Sequence, residues 1–335
     1  VGKVPDQTIR FGLIGLGRHG SRYARHLLGD VPGARLVAVC RRDRARGEAF
    51  AEQHGLTFYD DYGRLIEDPG VDAVAVAVSP DAHLDVCRRA AGAGKHILLE
   101  KPLARNLAEG RQLLKVVEGA AVTFMLAQTL RFNSVVRAIK ERMDSLGRIH
   151  LMAFNQRMEP HGLDWLDDPQ VAGGGNLLHT GVHTFDLIHF LCHRPVEWAW
   201  CRTGRVYQRK TEDLFTAVLG LEGGIRCLVD AAKVTGGRSG RIEVVGDEGQ
   251  LVGDHVLGTL SLVQGRQAVA LPVAEPVHTV EQALKTFVRC VSQDRCPPIT
   301  AVDGLRTLRV AAMCYRSAET GRMVRADEID AESTT

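Results

Sequence analysis

The hexapeptide Gly15-Leu16-Gly17-Arg18-His19-Gly20 limits what this chain can fold into more than any other feature. It follows the short apolar run Ile9–Ile14 and leads at once into residues 21–28, where Tyr23, Ala24, Leu27 and Leu28 recur at helical spacing. Gly15 permits the tight strand-to-helix turn, Gly17 lets the backbone approach a pyrophosphate, and Gly20 lets the helix pack close to the strand. The first N–H groups of that helix have no intrahelical partner, and the positive end of its dipole faces the same way, so the turn is suited to phosphate. A glycine pattern alone is weak. Between a strand and a helix, at the head of an alternating domain, it reads as a dinucleotide site lined by Gly15, Leu16, Gly17, Arg18, His19 and Gly20.

The alternation continues through the first half. Residues 36–40, 72–79, 96–99 and 121–127 read as strands, and 45–54, 82–93 and 107–117 as helices. Small and β-branched residues on both faces of 72–79 suit a central strand covered on both sides. Short links between alternating elements predict a doubly wound parallel sheet over residues 1–127, with a ligand crevice at the carboxyl ends of its strands. From residue 128 to 335 the texture changes. Helices are expected at 135–146, 176–191, 280–291 and 304–318, and a strand at 149–156. Hairpins are expected around Gly223-Gly224 and Gly246–Gly249. This half reads as an α+β domain with an open-faced, mostly antiparallel sheet.

Bulk properties narrow the function. The 335 residues carry 42 Lys+Arg against 40 Asp+Glu, a net charge of +2, which argues against a nucleic-acid binder. No apolar run approaches the roughly 18–20 residues needed to span a bilayer, so no membrane partner is expected. Residues 1–7 lack the pattern of a signal peptide. The 8 cysteines are scattered with no Cys-x-x-Cys pair, which points to reduced thiols in a cytoplasm.

Three further stretches carry chemistry. At the end of the second strand, about 20 residues past the glycines, an acid would hold the ribose hydroxyls of NAD. Arg41 stands there, followed by Arg42, and a guanidinium suits the 2′-phosphate of NADP. The alternative is that both arginines are solvated and Asp43 binds the ribose; the reading favours NADP over NAD. In Glu100-Lys101-Pro102 the proline keeps Lys101 out of the helical region at a strand end. There a lysine can orient a substrate hydroxyl or share in proton transfer. Finally, Gly173-Gly174-Gly175 makes a flexible entry to a helix bearing His179 and His183 on one face. A histidine there can take a carbinol proton. A zinc-compatible pair is the competing reading, but there is no His-Glu-x-x-His pattern or cysteine cluster, and no metal is expected. His189 reads as a helix-core histidine bonded to backbone, a reading also open to His193.

In this order the stretches resemble the Gfo/Idh/MocA family, named for glucose–fructose oxidoreductase, inositol dehydrogenase and a rhizopine-catabolism protein. The resemblance runs from Ile9 to Val324. Besides the glycine turn it rests on Ser79-Pro80-x-x-His83, Glu100-Lys101-Pro102, Arg131-Phe132-Asn133, the triple glycine with Gly181 and His183, Val245–Gly249, and Asp303-Gly304-Leu305 with Tyr315-Arg316-Ser317. It implies a Rossmann domain followed by an open-faced sheet used for substrate and oligomer contacts, in a homodimer or homotetramer. It also implies a nicotinamide cofactor near Ser79, Pro80, His83, Glu100, Lys101 and Gln128, and a sugar or cyclitol substrate. Lys101 matches the family lysine that positions or helps deprotonate substrate. His183 matches the acid/base histidine of an Asp-x-Gly-x-His pattern, and His179 stands where that pattern has aspartate.

The function read from this combination is hydride transfer between a nicotinamide and a secondary alcohol or ketone of a sugar, cyclitol or derivative. His183, with His179 beside it and Lys101 helping, would exchange the hydroxyl proton. Arg157, His161, Asp164 and Trp165, between Gln156 and Gly175, are candidates to reach the substrate. Two alternatives are a glycosidase-type enzyme that cycles bound NAD(P) without net turnover, and a non-catalytic dinucleotide-sensing regulator.

Overall fold

A computed structural model describes residues 8–160 and 162–332. Residues 1–7, read above for a signal peptide, and His161, a candidate substrate residue, lie outside the described residues. The chain forms two compact units. One holds the residues up to 104 together with 108–129 and 278–305; the other holds 105–107, 130–277 and the residues from 306 on.

The first unit is built on six parallel strands: β1 (Ile9–Ile14), β2 (Ala34–Cys40), β3 (Thr57–Tyr59), β4 (Ala73–Val76), β5 (His96–Glu100) and β6 (Phe124–Ala127). Their order is β3-β2-β1-β4-β5-β6, the doubly wound arrangement that reverses direction between β1 and β4. All four residues of β4 are buried, as a strand covered on both faces requires. The strand expected at 72–79 stops at Val76, and Pro80 opens a short 3₁₀ turn soon after. Between the strands run α1 (Gly20–Leu27), α2 (Arg44–His54), α3 (Tyr62–Glu67), α4 (His83–Gly92) and α5 (Leu107–Glu118). Asp43 caps α2 by accepting from the Arg46 N–H at 3.2 Å, and Gly55 ends it in the left-handed conformation at φ 65°.

The second unit contains a nine-stranded mixed sheet: β7 (Ile149–Arg157), β8 (Val196–Gly204), β9 (Leu214–Leu221), β10 (Arg226–Ala232), β11 (Ser239–Gly246), β12 (Gly249–Asp254), β13 (Thr259–Gln264), β14 (Gln267–Ala270) and β15 (Val324–Arg325). The order is β14-β13-β12-β11-β7-β10-β9-β8-β15, and every pairing is antiparallel except β7 with β10. Both expected hairpins form; Gly223 and Gly224 turn the first at φ 82° and 83°. Period-two alternation sends Met152, Phe154, Phe215, Ala217, Leu219, Cys227 and Val229 into the core, while Leu228 and Val252 stay exposed on the other face.

The helices of the rest of the chain are α6 (Ser134–Arg142), α7 (Pro169–Ala172), α8 (Val182–Cys192), α9 (Thr279–Ser292), α10 (Ala301–Thr320) and α11 (Ala326–Glu332). Helix α9 belongs to the first unit. It buries Val280, Ala283, Leu284 and Phe287, whose ring meets Phe11 of β1 edge-on at 5.9 Å. The helix expected at 176–191 departs from regularity, because Leu177–Gly181 form a turn of π-helix before α8 begins. Such widened turns occur mostly as single insertions, frequently at functional sites.

Candidate active site

The glycine turn leaves β1 at the point where the strand order reverses. Gly15 sits at φ 97°, and a Cβ there would lie 2.5 Å from the Ala77 carbonyl oxygen. A Cβ on Gly20 would lie 1.8 Å from the Gly15 carbonyl oxygen, so α1 starts directly on the turn. Gly17 differs: nothing lies within 4 Å of the position its Cβ would take. Gly17, Arg18 and His19 are exposed and Leu16 is buried. Arg41, at the end of β2, donates from Nη1 to the Leu16 carbonyl at 2.8 Å, and its Nη2 lies 3.8 Å from Asp43. The structure therefore brings Arg41 onto the glycine turn and leaves Arg42 exposed beside it. These residues could hold a dinucleotide: the space at Gly17 is open to a pyrophosphate, and the Arg41 guanidinium lies against the turn.

The neighbouring strand ends are tied to this turn. Tyr23, buried on α1, donates to Glu100 Oε1 at 2.7 Å, and the Lys101 N–H donates to Oε2 at 3.1 Å. Burial pushes the Tyr23 phenol well up, and the Glu100 charge adds to it, so the phenol stays a donor. Burial also pushes the Lys101 ammonium below its usual range, with Glu100 pulling the other way. The Lys101–Pro102 peptide is cis. Ser79 precedes the 3₁₀ turn begun by the buried Pro80. His83 is fully buried, with Nδ1 3.0 Å from the Pro102 carbonyl and Nε2 3.2 Å from that of Val78. Burial lowers its pKa, against the pull of the two carbonyls, and a neutral ring has one N–H to donate to one of them. Gln128, just beyond β6, is buried.

In the second unit the triple glycine is tightly enclosed rather than a flexible entry. Gly173 ends α7 at φ 80°, and a Cβ there would meet the Arg105 carbonyl at 2.5 Å. A Cβ on Gly174 would lie 2.0 Å from Tyr315 Oη, and one on Gly175 2.0 Å from the Glu212 carbonyl oxygen. The Glu212 carboxylate accepts from the Gly175 N–H at 3.1 Å, the Leu177 N–H at 2.9 Å and the Tyr315 hydroxyl at 2.9 Å. The Glu212 carbonyl accepts from the intervening Asn176 N–H at 2.7 Å. Beyond this turn, buried His179 meets Trp165 edge-on at 5.6 Å, and His183 is partly exposed one turn later. Asp186, on the same helix, forms a buried bidentate pair with Arg131, at 2.8 Å to Nε and 2.6 Å to Nη2.

The structure thus unites His179 with Trp165, but not with every residue expected near substrate. Arg157 follows the buried Gln156 on β7, so alternation sends it to the other face, where it pairs with Asp230. Asp164 is exposed. His189 lies 3.1 Å from an Arg306 nitrogen, and His193 lies 2.8 Å from Lys140 Nζ at the end of α8. Sequence reasoning missed Tyr23, Glu212 and Asp167. Their partners are distant in sequence, and no spacing rule marks them.

A family model described as the oxidoreductase family with an NAD-binding Rossmann fold matches residues 9–128, and that of the family's C-terminal alpha/beta domain matches residues 138–325. The chain belongs to the Gfo/Idh/MocA family. The myo-inositol 2-dehydrogenase of Thermotoga maritima is 28% identical over 339 residues, covering 96% of this chain and 99% of that protein. The scyllo-inositol 2-dehydrogenase (NAD(+)) of Bacillus subtilis is 26% identical over 340 residues, covering 96% and 97%. The aldose-aldose oxidoreductase of Caulobacter crescentus, solved with glycerol, superposes with a TM-score of 0.87 at 22% identity, covering 95% of this chain and 100% of that one. As a Gfo/Idh/MocA protein the chain is an oxidoreductase, and its residues 9–128 match the family's NAD-binding Rossmann fold. Among the described residues no helix is long and apolar enough to cross a membrane.

Proposed function

We propose that this enzyme transfers hydride between NAD(P) and a secondary alcohol or ketone of a sugar or cyclitol. The observation that carries the reading is the open space at Gly17 at the strand-order reversal, in the same unit as a lysine whose charge burial disfavours. The bound nicotinamide supplies the hydride acceptor or donor. His183 is the candidate to exchange the hydroxyl proton, and Lys101 the candidate to position substrate or share in proton transfer. His179, fixed against Trp165, borders the substrate. The inositol dehydrogenases among the relatives support a polyol substrate.

NADP is the preferred cofactor in this reading. Arg41, bonded to the glycine turn, and Arg42 beside it in sequence support this, while Asp43 is engaged as the cap of α2. The exposed face bearing Leu228 and Val252 supports assembly into a homodimer or homotetramer. Eight free thiols support a reducing, cytoplasmic setting.

Absorbance of the reduced nicotinamide, followed with NADP⁺ or NAD⁺ and a panel of cyclitols and sugars, tests this directly. The expected result is turnover with NADP⁺ preferred. Lys101→Ala and His183→Ala should each lower kcat by about 10²-fold or more, the usual contribution of a positioned acid or base, and far more than they lower cofactor affinity. Turnover that survives both substitutions, or no turnover in either direction, sinks the assignment.

A further inference from the structure

The second unit holds His179 and His183 from an unexpected place. Helix N-termini leave their first N–H groups without intrahelical partners, and a nearby side chain usually caps them. Here no side chain of the turn itself does so. Instead, three consecutive N–H groups, of Gly175, Asn176 and Leu177, all end on Glu212. The two outer ones reach its carboxylate and the middle one its carbonyl. Tyr315 donates to the same carboxylate, and its hydroxyl also lies where a Gly174 Cβ would be. Burial pushes the Glu212 carboxyl above its usual range, the Leu177, Tyr315 and Gly175 donors pull it back, and those donors leave it one orientation.

The segment carrying Glu212 is fastened on its other side as well. The N–H groups of Arg209, Lys210 and Thr211 donate to Asp167 at 3.0, 2.8 and 2.9 Å. Asp167 closes the short turn bearing Trp165, the ring that packs on His179. Four consecutive residues, 209–212, therefore bond both to Asp167, which ends the turn bearing Trp165, and to the turn that leads into His179. The preceding N–H groups of Val206, Tyr207 and Gln208 donate to Asp213 instead.

We propose that Glu212 is a positioning residue for the acid/base helix: its carboxylate sets the register of the turn 173–177 and so the placement of His179 and His183. This rests on the hydride-transfer reading of the site. Glu212→Gln keeps the size of the side chain but turns one acceptor into an NH₂ donor. At least one of the Gly175, Leu177 and Tyr315 donors then faces a donor, so the turn must shift.

The test compares Glu212→Gln with Asp213→Asn, which loosens the adjoining 206–208 loop and leaves the glycine turn alone. For Glu212→Gln, kcat should fall tenfold or more while the KM and Kd for the dinucleotide stay within twofold. Amide hydrogen exchange should accelerate over 173–183 but not across the sheet. Asp213→Asn should keep kcat within twofold of the unmodified enzyme. Wild-type kcat in Glu212→Gln, or an equal kcat loss in both variants, overturns the proposal. If the unmodified enzyme turns over no sugar or cyclitol, the functional reading fails by itself. Exchange then decides the clamp: acceleration confined to 173–183 supports it, and unchanged exchange there rejects it.

Discussion

Gly17 and Gly175 occupy comparable places, each in a glycine-rich turn that delivers the chain into a helix. Around Gly17 the structure leaves space: no atom lies within 4 Å of the point a Cβ would occupy, and the residue is exposed. Around Gly175 the space is taken, with the Glu212 carbonyl oxygen 2.0 Å and its nitrogen 2.7 Å from where a Cβ would be. Each turn is tied by a tyrosine–glutamate hydrogen bond, Tyr23 to Glu100 in one unit and Tyr315 to Glu212 in the other. The bonds act at different points. Glu100 ties the following helix to a strand end, whereas Glu212 grips the turn itself. Glycine in the first turn leaves room for a ligand; in the second it gives room to the protein.

That contrast is broken most forcefully by adding one methyl group. Gly175→Ala drives Cβ into backbone that cannot swing aside as a flexible side chain could. Overpacking costs about 1–3 kcal/mol, occasionally more, and a collision with backbone belongs at the upper end. Gly20→Ala should cost a similar amount, since its Cβ would lie 1.8 Å from the Gly15 carbonyl oxygen. Both losses are measurable as lower midpoints in urea unfolding. A midpoint unchanged in Gly175→Ala would mean that the turn is not held as closely as these distances require.

A second perturbation separates the two tyrosine bonds. Tyr23→Phe removes the hydroxyl that donates to Glu100 Oε1 and leaves a buried carboxylate oxygen short of a donor. The expected cost is about 1–3 kcal/mol, the penalty of an unsatisfied buried group. The urea midpoint checks it; an unchanged value would show that Glu100 finds another partner.

How much of this was legible in sequence depends on how local the determinants are. The strand-turn-helix at 9–28 could be read because the apolar run, the three glycines and the helical face are contiguous. The two hairpins were legible for the same reason. Strand β3, three half-exposed residues, carries too little pattern to be recognised. Helix α9 reads as amphipathic, but nothing local says that its apolar face meets Phe11, far back in the chain. The π turn at 177–181 is invisible because its residues are equally compatible with a regular helix. Glu212 gave no signal, since its carboxylate bonds span 35, 37 and 103 residues of sequence. Arg157 was misplaced although alternation along β7 already separates it from Gln156.

The smallest stability change is expected where the glycine contrast is sharpest. Gly17 does not have the positive φ that penalises L side chains, and a methyl group there meets nothing. Gly17→Ala should therefore leave the urea midpoint unchanged or raise it, because a compatible Gly→Ala change gains about 0.4–1 kcal/mol from the unfolded chain. Its effect should appear instead in ligand binding, since the methyl would occupy the space proposed for the pyrophosphate. A tenfold weaker dinucleotide Kd is expected, which corresponds to about 1.4 kcal/mol. Titration of NADP⁺ by intrinsic fluorescence would measure it. Weaker binding with undiminished stability would set Gly17 apart from Gly175, whose substitution should unfold the protein more readily. Full affinity in Gly17→Ala would place the pyrophosphate elsewhere, and the open turn would then owe nothing to the dinucleotide.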